Sequence, residues 1–352
     1  MQKKANSSKL VYLELLRIIA IFAVLYIHTG VRGKLHYTIA GMSASYYISL
    51  ILFSLAQICN MLFLMISGAL LLHREENMKQ TMKRLGRMVI TVIVFSLFQF
   101  FWTYLQIPEM GFDVLLGLKI MYCQPIISQY WYLYLYLGFL IILPFLRVLA
   151  KHMEDIHYYY LFGICVLVDG ILPIVNRLWE NDSLNIKIPV NTMMIIYPLL
   201  GHFIAYRGEK VLQSRKNLLI INIAAIVALM INVAEANLAY QTNGDTEYSL
   251  QGLVFVYVLA IFVDVKKLCD TVTLPQWLQK LCLFVGNGVF GVYLFERQIK
   301  DNLVFIYDAV EPVATWVVAV FCWLLVSVVI GAIVTNILKK IAVFRKLLKN
   351  RT

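Results

Sequence analysis

The sequence predicts an all-α, polytopic membrane protein with about ten transmembrane helices and both termini in the cytoplasm. Three observations carry that prediction. Of 352 residues, 61% are hydrophobic and only 14% charged, and the mean hydropathy is +0.75, whereas a water-soluble chain of this length exposes far more charge. Apolar runs near the roughly 20 residues needed to cross a hydrocarbon core recur along the chain. Lys and Arg fall between these runs with a strong bias to alternate loops.

The expected spans are 10–29, 46–72, 87–106, 131–149, 158–175, 189–206, 217–236, 249–264, 282–300 and 312–337. Their interiors are mostly Leu, Ile, Val, Phe and Met, and the gaps hold Pro, Gly, Asn and charge, which break helices. The first span follows Lys3, Lys4 and Lys9. It reads as an anchor rather than a cleaved leader, because it is long, contains Arg17 and lacks a small-x-small cleavage site. Glu109 to Tyr130 is too polar to span and reads as an outer loop or short interfacial helix. With an inner N-terminus, the inner segments carry 23 Lys and Arg and the outer loops 7, Arg17 lying within a span. No soluble appendix remains, so residues 1–352 read as one membrane domain.

The net charge of +11 does not point to nucleic acid, because the basic residues sit at span ends, where they meet lipid headgroups or an anionic cofactor. The six cysteines lack CxxC or CxxH spacing and read as reduced packing residues, with no metal site expected.

LLRIIAIFAVLYIHTG, Leu15 to Gly30, is apolar apart from Arg17 and His28 near its ends. Eleven residues turn a helix by about 1100°, so the two lie on one face, about 16 Å apart along the axis. Glu14, three residues before Arg17, is placed to pair with its guanidinium. Snorkelling to the interface is the simpler fate for a lone Arg; three aligned polar residues favour a protein-lined or watery interior.

This Arg-x10-His pattern in a first span resembles the acyltransferase 3 family of membrane acyltransferases. The likeness continues in FLMISGALL (Phe63 to Leu71), KRLGR (Lys83 to Arg87), WYLYLYLGFLIILPFL (Trp131 to Leu146) and GVFGVYLFE (Gly288 to Glu296). The resemblance implies ten spans and transfer of acetyl or other acyl groups to sugars. One departure stands out: the last motif usually continues Tyr-Leu-x-His, and Glu296 occupies the position of that His.

On that resemblance, acyl-CoA, with acetyl-CoA foremost, is the donor and no cofactor is permanently bound. Arg84 and Arg87 are expected to hold the CoA phosphates, or else to be ordinary inner-face charges. The pantetheine arm would pass Arg17 and bring the thioester near His28. His28 would act as general base towards a carbohydrate hydroxyl, or form an acyl-histidine. Glu296 either supplies the acceptor that orients the imidazole or faces solvent beside Arg297 or Lys300, the plainer arrangement. Ser67 and Gly68 suit close helix packing, with acyl binding as the alternative for Ser67; Trp131 suits an interfacial anchor or a sugar platform. Asn60, Asn191 and Asn287 could line a polar cleft. The partners implied are the lipid bilayer, acyl-CoA, a carbohydrate acceptor and, left open, a second copy of the chain. The location is the cell membrane, a bacterial plasma membrane being expected. A polysaccharide or small-molecule transporter, and an accessory subunit without chemistry, are the competing readings.

Overall fold

A computed structural model describes residues 2–107, 113–172, 192–244 and 253–348, together with Val175 and Thr246. The described residues form helices joined by turns, with no strand among them. In chain order the helices are α1 (Gln2–Ile27), α2 (Ala44–Ala56), α3 (Cys59–Leu71), α4 (Met78–Gln106), α5 (Val114–Cys123), α6 (Trp131–His152) and α7 (Asp155–Cys165). They continue as α8 (Thr192–Tyr206), α9 (Glu209–Gln213), α10 (Arg215–Asn243), α11 (Val254–Thr271), α12 (Gln276–Leu294), α13 (Glu296–Asn302), α14 (Phe305–Val310), α15 (Trp316–Leu338) and α16 (Ala342–Leu347).

Among the described residues, six helical stretches are long and apolar enough to cross a membrane: α2 with α3, α4, α6, α10, α12 and α15. Each of the ten expected spans falls on helix, although α8 is only 15 residues long and residues 173–174, 176–191 and 247–252 lie outside the described set. The segment from Glu109 to Tyr130 contains a ten-residue helix, α5.

Three differences from the expected boundaries have local causes. The third span starts nine residues earlier, because Asn77 and Gln80 form reciprocal side-chain-to-backbone bonds of 3.0 and 3.1 Å that cap α4 at Met78. The second span breaks after Ala56, where Gln57 and Ile58 bond back only three residues. Water is absent from the interior of a bilayer, so a broken helix needs partners from the protein. Tyr257 of α11 donates its hydroxyl to the carbonyl of Ser54 at 2.9 Å, and Asn232 supports that hydroxyl at 3.2 Å. The ninth span also breaks, after Leu294, and continues as α13.

Helix α1 runs through the middle of the assembly, packed on α3, α11, α12 and α15. Helices α3 and α8 approach backbone to backbone. A Cβ on Gly68 would lie 1.9 Å from the carbonyl oxygen of Pro198, and one on Gly201 1.9 Å from that of Met65. Small residues let backbones touch in this way, the packing role expected of Gly68. Substituting Val at Gly68 or Gly201 is expected to separate α3 from α8 and lower the melting temperature in detergent, whereas Val at Gly163, where a Cβ meets nothing within 4 Å, is nearly neutral; thermal unfolding followed by tryptophan fluorescence checks the contrast.

Candidate active site

A cavity of about 180 Å³ opens between α1, α3, α4, α6 and α12. Arg17 and Val24 reach it from α1, seven residues and nearly two turns apart on one face. Asn60 and Ser67 of α3 line another wall, and the rings of Tyr132, Tyr136 and Tyr293 line it as well. Arg84 and Arg87 stand at one end with Leu347 of α16. Helix α16 is folded back against α4, with Leu348 fully buried.

Arg17 is 8% exposed and bonds Glu14, which is 1% exposed, at the expected spacing of three residues. The second carboxylate oxygen of Glu14 has no hydrogen-bond partner and faces Gly286, where a Cβ would come within 2.2 Å of it. Glycine at 286 therefore leaves room for a buried carboxylate against α12. Lys339, just past α15, donates to the carbonyl of Asn287; burial, with Arg17 adding to it, pushes its ammonium down to about 8.

At the Arg84 end, Glu76 accepts from both Arg84 and Arg147, the latter at 2.9 Å. Burial would raise the Glu76 carboxyl, but the Arg147 hydrogen bond and the two guanidinium charges hold it below its ordinary value. Arg147 also donates to the carbonyl of Leu71 at 3.0 Å and to Thr81 at 3.2 Å, tying α3, α4 and α6 together. Sequence reasoning missed this role, counting Arg147 as an end-of-span charge. Arg84 keeps a buried Nε with no partner.

His28 lies one residue beyond α1, and its Nδ1 is 2.6 Å from Oε1 of Glu296. Glu296 is 3% exposed, so the solvent-facing arrangement beside Arg297 or Lys300 does not hold. Those cations are engaged elsewhere: Arg297 reaches Gln106 at 3.5 Å and Lys300 pairs with Asp301 at 2.7 Å. The His28 side chain is 23% exposed, and its Nε2 makes no hydrogen bond among the described residues. The seam expected between Arg17 and His28 is open only in part. His28 does not line the cavity, which ends at Val24 and Tyr293, four residues before His28 and, across the α12–α13 break, three residues before Glu296.

The remaining expected residues divide. Ser67 lines the cavity but donates its hydroxyl to the Phe63 carbonyl at 2.8 Å. Trp131 is 42% exposed and does not line the cavity, whereas its neighbour Tyr132 does. Asn60 lines it, and Asn191 lies outside the described residues.

The fold and this site define a multi-pass helical membrane protein that holds an imidazole–carboxylate pair beyond an arginine-lined cavity. The acyltransferase 3 family model, described as an acyltransferase domain, matches residues 10–336. The chain belongs to that family and is a membrane acyltransferase. Comparison with curated proteins and with solved structures found no match.

Proposed function

We propose that the protein transfers a short acyl group, acetyl foremost, from acyl-CoA to a hydroxyl of a surface or secreted carbohydrate, with His28 as general base. The His28–Glu296 bond carries this reading. A carboxylate on Nδ1 fixes the tautomer that leaves the Nε2 lone pair outward, ready to accept a proton. As the hydroxyl oxygen attacks the thioester carbonyl, its proton passes to Nε2. The C–S bond then breaks, and the imidazolium returns the proton to the departing thiolate.

The cavity suits the donor's reactive end. A void of this size holds a group about as large as benzene, so acyl and thioester atoms fit and the nucleotide stays outside. There the planar guanidinium groups of Arg84 and Arg87, both at that end of the cavity, suit phosphate oxygens. Val24 and His28 are about 6 Å apart along α1. One hydrogen bond plus one near-attack contact spans about the same length, so an acceptor hydroxyl fits between thioester and imidazole. With the Arg84 end cytoplasmic, donor and acceptor approach from opposite sides of a bacterial plasma membrane. The resting Arg17–Glu14 pair places a guanidinium on the donor's route.

Glycan mass spectrometry of cells with and without the protein tests the reading: a 42 Da increment on a sugar, the mass of an added acetyl group, is expected, and unchanged glycans would favour the transporter. Replacing Arg84 and Arg87 together by Ala is expected to weaken acetyl-CoA binding by at least about tenfold, with the loss steepest at low salt. Equilibrium binding in nanodiscs checks this, and unaltered affinity returns both residues to the role of topology charges.

A further inference from the structure

The break between α12 and α13 that presents Glu296 is itself held by a buried polar cluster, centred on Gln99, that adjoins the cavity-lining Tyr293 without itself lining the cavity. Gln99 of α4, fully buried within the apolar run SLFQFF, donates to the Leu294 carbonyl at 3.1 Å, on one side of Glu296. On the other side it exchanges bonds with Gln298: the Gln298 amide donates to Gln99 at 2.7 Å and the Gln99 amide returns one at 3.2 Å. Tyr130 donates its hydroxyl to the same Leu294 carbonyl at 2.7 Å, and its oxygen lies 3.1 Å from the Gln99 amide, whose two hydrogens are shared among these three acceptors. An amide buried in apolar surroundings is costly unless its bonds are made, and these bonds close around the three-residue interval, Phe295 to Arg297, that contains Glu296.

From this clamp we infer that Gln99 is a positioning residue for acyl transfer: it fixes the α12–α13 break so that Glu296 meets Nδ1 of His28, and through Glu296 it sets the tautomer of the imidazole. The inference rests on the reading of His28 and Glu296 given above. Gln99 does not line the cavity, and among the described residues its hydrogen bonds go to Leu294, Gln298 and Tyr130 rather than to His28, so its effect on the imidazole runs through the break that carries Glu296. Met at position 99 keeps the length and apolar fit while removing both the donor and the acceptor.

The test needs no acyl acceptor. Diethylpyrocarbonate acylates a neutral imidazole nitrogen, and peptide mass spectrometry gives the rate at His28 in wild type, E296Q, Q99M and the double variant, each in nanodiscs. E296Q is expected to slow His28 modification by about tenfold, because the charge-assisted bond to Nδ1 is lost. Q99M is expected to slow it to a similar degree. The double variant should match E296Q alone, since two residues acting through one bond do not add. Reaction of Q99M at the wild-type rate would overturn the inference, as would an additive loss in the double variant, the mark of a merely structural role. Equal rates in wild type and E296Q, or no reaction at His28 in wild type, would remove the His28–Glu296 reading itself and the inference with it.

Discussion

Replacing His28 by Gln is expected to lower acyl transfer by about 10²–10⁴-fold, the range of a positioned general base, with little change in donor affinity. Gln keeps a polar side chain opposite Glu296 (3% exposed), so folding should survive, but no group remains to take the acceptor's proton. Glu296→Gln is the sharper companion. Its amide can turn either an oxygen or an NH₂ towards Nδ1, and the NH₂ arrangement selects the wrong tautomer. A loss of about 10²-fold or more in kcat is therefore expected, again with unaltered acetyl-CoA affinity. Acetyl transfer measured beside equilibrium donor binding separates the two effects. Full turnover in His28→Gln would remove the imidazole from the chemistry.

The largest effect on stability is expected at Arg17. Arg17→Met strands Glu14, 1% exposed, in the middle of the helix bundle without its paired guanidinium. Removing one partner of a buried ion pair typically costs about 3–5 kcal/mol, a large fraction of the margin by which a native fold persists. Thermal unfolding in detergent should show a clear drop and expression should fall. Adding Glu14→Met removes the stranded carboxylate and should restore most of the stability, because an apolar pair of similar volume replaces the ions. Acyl transfer should stay low in both variants if the guanidinium also steers the donor. An Arg17→Met protein as stable as wild type would mean that the ion pair does not neutralise Glu14.

Some of this architecture was legible in the residues and some was not. The Glu14–Arg17 pair followed from helical spacing, since both residues lie on one continuous helix. The long apolar runs likewise placed helices, six of them long enough to cross a membrane among the described residues, because bilayer length and apolar composition are local properties of the chain. The breaks at Gln57 and Phe295 were not legible. Each depends on side chains distant in sequence, Tyr257 at the first and Gln99 with Tyr130 at the second, that donate to a carbonyl beside the break. Glu296 was ambiguous for the same reason: its neighbours in sequence are Arg297 and Lys300, and its partner lies 268 residues away. A lone glutamine in SLFQFF was the available signal for Gln99, because a polar residue inside a membrane run asks for a partner. The role of Arg147 was hidden by its place at the end of a span, where a topology charge and a structural clamp look alike.

The most direct measurement is a cryo-electron-microscopy structure in nanodiscs with a non-hydrolysable acetyl-CoA analogue in which the thioester sulfur is replaced by methylene. The phosphates are expected beside Arg84 and Arg87, the pantetheine arm past Arg17, and the carbonyl carbon at the Val24 and Tyr293 end, facing the imidazole of His28. An analogue seated elsewhere, or with its carbonyl away from that end, would contradict the account.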